Sequence, residues 1–239
     1  MILVLYEDKD IIVVEKPVGM ESQVSRGFSA DMVSEIKRHI HNLSPGNGEP
    51  YVGVIHRLDK PVGGIMVYAK NQKAAAALSK DVQDGIMRKM YFAVVCGKLV
   101  DKQGQFVDYL LKDSRTNCSK IVDKGTTCGK LAKSDYYVVG STDDGNGIKT
   151  LVEVNLLTGR HHQIRVQFAG HGLPLYGDNR YNPEFQNSRN TDVALFAWKL
   201  QFRHPQSKKI MDFEKLPTAG IFSKFQDILI EYKRSTKQK

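Results

Sequence analysis

The sequence Gly53-Val-Ile-His-Arg-Leu-Asp-Lys-Pro-Val-Gly-Gly-Ile-Met-Val-Tyr-Ala69 contains the two features on which the prediction of the fold and of the function depends. Its second half, from Ile65, is a short apolar run of the kind that forms a buried strand. Its first half places His56, Arg57 and Asp59 within four positions, and a proline and a pair of glycines follow. The pattern predicts a sharply shaped loop that holds charged side chains at the end of a buried strand.

Asp59 has two interpretations when the residue types are considered alone. It can form a surface ion pair with Arg57, which would contribute less than ~1 kcal/mol to stability. It can also be a carboxylate nucleophile or base that a rigid loop holds in place. Both interpretations stay open at this point, because residue type and spacing do not distinguish them.

A second unusual segment is Leu157-Thr-Gly-Arg-His-His-Gln-Ile-Arg-Val166. Thr158 is a candidate N-cap, and we predict a short helix over 161–169 that Gly170 ends. The backbone N–H groups at a helix start, together with Arg160 and Arg165, favour anions such as phosphate or a carboxylate. The alternative is a solvated polar face.

Neither a metal site nor a disulfide framework is expected. His161 and His162 are adjacent, so their side chains diverge on a helix, and no H-E-x-x-H spacing supplies further ligands. The cysteines are odd in number and show no C-x-x-C spacing: Cys96, Cys118 and Cys128. Free cysteines suit a reducing, cytoplasmic environment, which is the location that we expect.

Hydrophobic periodicity along the chain predicts alternating strands and helices. The strands are expected at residues 10–15, 65–69, 90–95, 137–140, 151–157 and 194–202. A first helix follows Ser29 as N-cap and places Met32 and Ile36 on one face, and an alanine-rich helix follows Asn71 and stops at Gly85. A last helix buries an apolar face formed by Phe222, Phe225, Leu229 and Tyr232. These elements predict one compact domain of mixed α and β structure.

The net charge of +9, from 35 Lys and Arg against 26 Asp and Glu in 239 residues, favours a polyanionic partner. A nucleic acid is a better candidate than an anionic membrane, since a basic surplus is typical of nucleic-acid binding. No apolar run approaches the ~20 residues that a membrane span needs. Residues 1–10 also lack the pattern of a signal peptide. Membrane-spanning and secreted proteins are therefore not expected.

Two segments concentrate the basic charge. Residues 232–239 contain four basic residues and no acid. We expect most of this tail to be frayed and solvated, with a nucleic-acid anchor as the alternative. Residues 112–133 are basic and glycine-rich and lack strong periodicity, so we predict a loop or a weak hairpin there.

Five stretches, in the same order along the chain, resemble motifs of the RluA-type family of RNA pseudouridine synthases. They are residues 6–19, 56–59 with 64–70, 88–97, 158–165 and 171–181. A four-residue match such as His56-Arg-Leu-Asp59 can arise by chance, but five ordered matches over roughly 5–204 are far more specific. By this resemblance the chain is identified as a member of the family.

The resemblance implies a role for four residues. Asp59 matches the catalytic aspartate, which attacks the uridine at the base or at the sugar. Arg57 matches the arginine that in some members occupies the space of the flipped uridine, and Tyr91 matches the tyrosine that packs against the target base. Arg165 matches the basic residue that pairs with the catalytic carboxylate. The base stays bound throughout, so the resemblance implies no cosubstrate, metal or other cofactor.

Other residues of these motifs are interpreted as structural. His56 and Leu58 are expected to pack or to orient the loop, and Asp178 is expected to form a turn rather than to act as a second acid. The sequence departs from the family pattern at Val62-Gly63-Gly64, where a Thr-Ser-Gly-like stretch is usual, and at His161, where threonine is frequent. These departures concern the loop and the fit of the substrate.

The resemblance implies an α+β fold, with a mixed, largely antiparallel β-sheet flanked by helices and loops and a catalytic cleft across the sheet. A single catalytic domain is expected over 1–239, without an N-terminal S4-like domain, so its own basic surface would hold the RNA. The expected substrate is a specific uridine of ribosomal or transfer RNA, and the expected state is a monomer. One alternative is a non-catalytic RNA-binding or RNA-assembly protein on the same fold. Another is a hydrolase of small nucleosides or sugars, whose binding would depend little on salt.

Overall fold

The structure of the protein is a computed structural model that describes residues 2–23, 30–46, 48–143, 145–188 and 191–236. The chain divides into two compact units. The first comprises Met1–Lys89 and Ala197–Lys215, and the second comprises Met90–Phe196 and Leu216–Lys239. The expectation of a single domain over 1–239 stays a prediction.

The described residues contain eleven strands and four α-helices. The strands are β1 (Leu3–Glu7), β2 (Ile11–Lys16), β3 (Gly53–Val54), β4 (Gly63–Ala69), β5 (Arg88–Cys96), β6 (Gln103–Asp113), β7 (Cys118–Val122), β8 (Lys130–Asp143), β9 (Ile148–Leu156), β10 (Leu195–Arg203) and β11 (Ile210–Glu214). The helices are α1 (Met32–Leu43), α2 (Gln72–Gln83), α3 (Gln163–Gly170) and α4 (Gln226–Thr236). No helix of the described residues is long and apolar enough to cross a membrane. The predicted α+β class, with a largely antiparallel sheet and flanking helices, is confirmed.

The first unit is built on the buried strands β2 and β4. They pair in antiparallel orientation, from Ile11 opposite Ala69 to Lys16 opposite Gly64. Strand β1 pairs with β2, β10 lies beside β4, and β11 pairs with β10. Every residue of β4 is buried, which explains why this strand reads as a continuous apolar run in the sequence. The loop that carries Asp59 leads directly into β4.

Both helices of the first unit begin at a side chain that caps them. The carboxylate of Asp31 accepts two backbone N–H groups from the first turn of α1. The prediction of Ser29 as this cap is wrong, because the helix begins directly after Asp31; Ser29 itself lies outside the described residues. Asn71 caps α2 as predicted, and Gly85 follows that helix with a φ of +70°.

The second unit contains an antiparallel sheet with the strand order β5-β9-β8-β6-β7. Strands β8 and β9 form the predicted hairpin, although β8 begins earlier than the sequence indicates. Strands β6 and β7 form a hairpin that includes residues 112–122, so the hairpin alternative for the basic segment is confirmed. The sequence does not predict β6, because only Phe106 and Leu110 of its 11 residues are buried.

Helix α3 begins two residues later than the sequence predicts. His162 precedes it in the left-handed conformation, with a φ of 53°, and makes no side-chain cap bond. The Thr158 hydroxyl accepts the N–H of Lys133 at 2.9 Å and donates to the side chain of Gln163 at 2.7 Å. The prediction of Thr158 as the N-cap is therefore wrong, because its hydroxyl ties the loop to β8 instead.

The C-terminal segment is helical over its described residues. The Tyr232 hydroxyl donates to the carboxylate of Glu153 at 3.0 Å and fastens α4 to strand β9. The frayed tail expected from residue 232 is therefore wrong for 232–236, and residues 237–239 lie outside the described part of the chain. The buried side chains before this point agree with the predicted apolar face: Phe222, Phe225 and Leu229.

Gly64 is a position in β4 that leaves no room for a side chain. A Cβ atom there would lie 2.4 Å from the carbonyl oxygen of Ala197 and 2.5 Å from its nitrogen, and φ is +129°. We predict that Gly64→Ala lowers the free energy of unfolding by ~3 kcal/mol or more, because two paired backbones cannot move apart as a flexible side chain can. Urea unfolding measures this loss.

The matched control for this prediction is Gly85→Ala. Gly85 also has a positive φ, +70°, but no atom lies within 4 Å of the position that the alanine methyl group would occupy. Only backbone strain applies there, so the loss should stay near ~1 kcal/mol. Equal losses in the two variants would contradict the close approach of β4 and β10 at Gly64.

Candidate active site

The loop that carries Asp59 is held in place by a buried serine. The N–H of Leu58 donates to Oγ of Ser22 at 3.0 Å, and the Ser22 hydroxyl donates to the carbonyl of Leu58 at 2.7 Å. The Tyr68 hydroxyl in turn donates to the Ser22 carbonyl at 2.8 Å. Ser22 is only 3% exposed, so water does not compete for these bonds. The loop is therefore fixed against strand β4.

Side chains around this fixed point alternate between the interior and the surface. Leu58 is buried, whereas Arg57 is exposed and Asp59 is half-buried. The N–H of Val62 donates to the carbonyl of Asp59 at 2.9 Å and closes a tight turn that contains Pro61. Leu58 packs as expected, and its burial directs the two neighbouring charged side chains away from the core.

Lys16 is a completely buried lysine at the end of strand β2, next to this loop. Its ammonium group donates to the backbone carbonyls of Met20 at 2.6 Å, Pro17 at 3.0 Å and Lys60 at 3.2 Å. The bond to Lys60 joins the end of β2 to the turn that follows Asp59. Burial lowers the pKa of Lys16 to about 8, and nearby negative charges, Asp59 among them, limit that decrease. Nothing in the sequence pattern singles out Lys16, since a lysine at a strand end is normally solvated.

His56 is uncharged and contacts the backbone of β4. Its Nε2 accepts the N–H of Val67 at 3.2 Å. Burial, followed by the charge of Lys89, lowers the pKa of His56 to about 3. Its Nδ1 is buried and has no hydrogen-bond partner among the described residues. This geometry agrees with an orienting side chain that carries no charge near neutral pH.

Tyr91 belongs to the second unit, where strand β5 positions it. It pairs with Val154 of β9, and it is 5% exposed. The next four residues, 92–95, are completely buried. A strand buried this deeply does not slip, because a shift of one residue would turn every side chain to the opposite face. Tyr91 is therefore held on a rigid element, while its role toward a base stays a prediction.

Arg165, also in the second unit, is a buried arginine that pairs with a buried aspartate. Its Nε donates to one carboxylate oxygen of Asp178 at 2.8 Å, and a terminal nitrogen donates to the other at 2.7 Å. The same carboxylate accepts the N–H groups of Arg180 at 3.0 Å and Tyr181 at 3.2 Å. Asp178 thus shapes a turn, as expected, and also fixes the plane of the Arg165 guanidinium.

A series of aromatic and hydroxyl side chains extends from Arg165 to strand β7. The guanidinium carbon of Arg165 lies 5.3 Å from the centre of the Tyr181 ring. The Tyr181 hydroxyl accepts the N–H of Ser119 at 2.8 Å and lies 2.8 Å from Nδ1 of His162. Burial raises the pKa of Tyr181 to about 12, so its O–H is available to donate to His162. The rings of His161 and His162 stack with their centres 3.8 Å apart, so the expected divergence of these side chains is wrong, because both residues precede α3.

Most of the residues described above lie in a part of the chain that matches a known protein family. The family model for RNA pseudouridylate synthase matches residues 10–170 of the chain. The chain belongs to the RNA pseudouridylate synthase family. The matched region of the synthase includes Arg57, Asp59, Tyr91 and Arg165, and the family predicted from the sequence motifs is confirmed.

Curated relatives agree with this membership. An uncharacterised RNA pseudouridine synthase of Bacillus subtilis, YlyB, is 34% identical over 212 residues, which are 88% of this chain and 67% of the relative. Ribosomal large subunit pseudouridine synthase D of Nitrosomonas europaea is 32% identical over 222 residues, 88% of this chain and 60% of the relative. The dual-specificity RNA pseudouridine synthase RluA of Vibrio parahaemolyticus is 31% identical over 208 residues, 85% of this chain and 78% of the relative. The predicted enzyme class, an RNA pseudouridine synthase, is confirmed.

Solved structures show the same fold. Human RNA pseudouridylate synthase domain containing 4 superposes with a TM-score of 0.74 at 21% identity, covering 95% of this chain and 92% of that one. Human RNA pseudouridylate synthase domain containing 1 gives a TM-score of 0.73 at 18% identity, covering 95% of this chain and 94% of that one. The arrangement of strands and helices in the synthase is therefore that of pseudouridylate synthase domains.

One group of side chains in the described part of the synthase is close enough to hold a metal ion. The ligand atoms of Asp8, Asp10 and His204 lie within 4.8 Å of one another. However, Asp8 already accepts the N–H groups of Asp10 and Ile11 at 2.8 Å and contacts Nε2 of His204 at 2.7 Å. Nδ1 of His204 accepts the N–H of Ser207 at 3.1 Å. Both ring nitrogens are thus engaged, and the group fastens the β1–β2 turn to the end of β10.

We predict that the Lys16 ammonium of the synthase loses its proton near pH 8, well below the ordinary lysine pKa of 10.5. Between these two values the unfolded chain holds a proton that the native chain has released, so the free energy of unfolding rises with pH across this window. Lys16→Met removes this contribution, while the other lysines cancel in the comparison. The difference in urea stability, native minus variant, should therefore increase from about pH 7 to about pH 10.

An NMR titration of the Lys16 side chain measures the same proton independently. This measurement keeps the prediction testable if Lys16→Met does not fold, since the variant removes the hydrogen bonds of Lys16 to the carbonyls of Pro17, Met20 and Lys60. A midpoint at the ordinary lysine value would contradict it.

Proposed function

We propose that the synthase converts specific uridines of structured RNA to pseudouridine, with Asp59 as its catalytic carboxylate. The observation that carries this proposal is the way Asp59 is held. Leu58, directly before it, is bonded at both backbone groups to Ser22, and Lys60, directly after it, is bonded to the buried ammonium of Lys16. A reacting group that is fixed before the substrate arrives loses little entropy during the reaction.

The proposed reaction needs a carboxylate and no cosubstrate. The bond between N1 of uracil and C1′ of the ribose breaks, the base turns, and C5 forms a new bond to C1′. The proton on C5 leaves and N1 gains one, so the reaction is a balanced isomerisation. We assign Asp59 to nucleophilic attack at the base or at the sugar, since an ionised carboxylate serves either route.

Base flipping is the proposed step that brings the uridine to Asp59. A stacked base is out of reach, and unstacking costs a few kcal/mol. Arg57 is exposed on the fixed loop, two residues before Asp59. A guanidinium stacks on bases and pairs with phosphates, so Arg57 is suited to fill the space that the flipped base leaves.

Tyr91 and Arg165 complete the proposed set. Strand β5 presents Tyr91 on a rigid element, and we assign its ring to packing against the target base. Arg165 is the basic residue that the family resemblance pairs with the catalytic carboxylate. Because Asp178 fixes its guanidinium, this cation needs no reorganisation as the charge distribution changes during the reaction.

Uridines of ribosomal or transfer RNA are the proposed substrates. One relative is named for the large ribosomal subunit, and another is named as having dual specificity. The net charge of +9 suits either polyanion. We propose a monomeric enzyme of the cytoplasm, where the free cysteines stay reduced: Cys96, Cys118 and Cys128.

We predict that Asp59→Asn lowers pseudouridine formation by ~10⁴-fold or more, because the amide cannot act as a nucleophile. Mass spectrometry of transcribed ribosomal and transfer RNA after incubation measures the product. The affinity for the same RNA should stay within about twofold, since one carboxylate among many contacts contributes little to RNA binding.

Asp123→Asn is the matched control, since Asp123 is an exposed carboxylate outside the proposed set. It should keep the activity of the native chain. Folded Asp59→Asn with retained turnover would overturn the assignment of the carboxylate. Tight RNA binding by the native chain without any product would favour the non-catalytic RNA-binding alternative.

Transcriptome-wide pseudouridine mapping should identify the substrate. Deletion of the gene is expected to remove pseudouridine at a small set of positions in ribosomal or transfer RNA. A plasmid encoding the native chain should restore these positions, and one encoding Asp59→Asn should not. A map that is unchanged by deletion would contradict the proposed activity on cellular RNA.

A further inference from the structure

A cavity of about 310 Å³ lies within the second unit, between the β6–β7 hairpin and the loop before α3. The hairpin contributes Leu110, Lys112 and Ser119 to its walls, and the loop contributes Arg160 and His161. Small-ligand pockets occupy about 300–1,000 Å³, so this cavity is large enough for one nucleotide. None of the four proposed site residues lines it.

One wall of the cavity is cationic. Lys112 and Lys130 point to the same face of the sheet, because Lys130 is paired with Leu110, which is two residues before Lys112. Arg160 adds a third cation, and its Nε is anchored to the carbonyl of Leu131 at 2.8 Å. No carboxylate is found among the described residues that line the cavity. An anion is therefore the complementary occupant of this wall.

The nearest carboxylate along β6 is directed elsewhere. Asp113 follows Lys112, so its side chain leaves the opposite face of the strand. It accepts the N–H of Arg115 at 2.8 Å and the hydroxyl of Thr116 at 3.0 Å. The carboxylate thus stabilises its own turn and does not neutralise the wall.

The rest of the lining suits a flat heteroaromatic ring. Leu110 supplies aliphatic surface on the same face as Lys112, and the imidazole of His161 supplies an aromatic surface. Oγ of Ser119 lies 2.9 Å from Nδ1 of His161, which sets the orientation of that ring. Unstacked bases of single-stranded RNA are typically held on aromatic rings, including histidine, and hydrogen-bonded at their edges.

We propose that this cavity binds one unpaired nucleotide of the RNA substrate, other than the target uridine. The phosphate contacts Lys112, Lys130 and Arg160, and the base lies against His161 and Leu110. The identity of the ligand as RNA rests on the proposed function. The preference for an unpaired nucleotide follows from the contact with His161, because a base that is stacked in a duplex cannot lie against that ring without leaving its stack.

The cavity is also connected to Arg165 through Ser119, one of its lining residues. The backbone N–H of Ser119 donates to the Tyr181 hydroxyl, and the Tyr181 ring lies against the Arg165 guanidinium. The hairpin that would contact the nucleotide at Ser119 therefore also holds the residue that packs on Arg165. Binding of the RNA strand and support of the proposed basic residue share one hairpin.

Charge removal in matched pairs tests the cationic wall. Lys112→Gln/Lys130→Gln removes two charges from the cavity, and Lys120→Gln/Lys124→Gln removes two charges from the same segment outside it. The probe is a fluorescent single-stranded oligouridylate. The cavity pair is expected to raise its Kd about tenfold and to reduce the salt slope by about 0.7 for each phosphate that is no longer neutralised. The control pair is expected to have a clearly smaller effect on both. Equal effects, or no effect from the cavity pair, would overturn the proposal.

Cys128 provides a second readout, because it lines the cavity and is exposed. Saturating oligouridylate is expected to slow alkylation of Cys128 by N-ethylmaleimide severalfold. The half-buried Cys96 and Cys118, measured in the same mass spectra, are the internal references. An alkylation rate at Cys128 that is unchanged by saturating RNA would show that the cavity stays empty, and would overturn the proposal.

Both measurements report binding without turnover, so they separate this site from the proposed function. If the cavity pair weakens RNA binding and RNA protects Cys128, but the native chain forms no pseudouridine, the binding site is supported and the proposed function is contradicted. If the native chain forms pseudouridine, but the cavity pair does not change RNA affinity and RNA does not protect Cys128, only the binding site is contradicted.

Discussion

A buried ammonium group holds the candidate catalytic loop in place. Lys16 donates to three backbone carbonyls, and leaving its buried ammonium without acceptors would cost ~1–3 kcal/mol or more. One of them belongs to Lys60, so the end of β2 is bonded to the residue that follows Asp59. Ser22 holds the residue before Asp59 in the same way. The position of Asp59 is thus determined from the interior of the first unit, and a surface ion pair with Arg57 is not needed to explain it.

In the second unit a buried carboxylate, that of Asp178, holds the functional candidate Arg165 in place. A buried ion pair is stabilising only when its remaining hydrogen-bonding capacity is satisfied, because removing two charges from water is costly. Asp178 meets this condition, since it accepts two backbone N–H groups in addition to the Arg165 guanidinium. The Tyr181 ring covers the guanidinium, and its hydroxyl is engaged by Ser119. Both proposed charged centres are therefore rigid before any RNA binds.

The sequence predicts those parts of the structure whose causes are local. Strand β4 is an apolar run, and Asn71 and Gly85 bound α2 by side-chain capping and a positive φ. Burial of a polar group is not local, so neither the burial of Lys16 nor the Arg165–Asp178 pair can be predicted from residue types. Val62, Gly63 and Gly64 are all buried, and a side chain at Gly64, where the family pattern also has glycine, would collide with Ala197.

Net charge gives the surplus of positive charge in a chain, and strand register determines which basic side chains lie together on one face of the sheet. Lys16 and Arg165 count toward the surplus of +9, yet both are buried and form no part of the exposed basic surface. The cations that matter for a polyanion are those that the fold gathers without a carboxylate between them. Pairing of β6 with β8 gathers Lys112 and Lys130 on one face beside Arg160. An RNA strand attracted by this charge meets the same hairpin that supports Tyr181, so attraction and placement of the strand have a common structural origin.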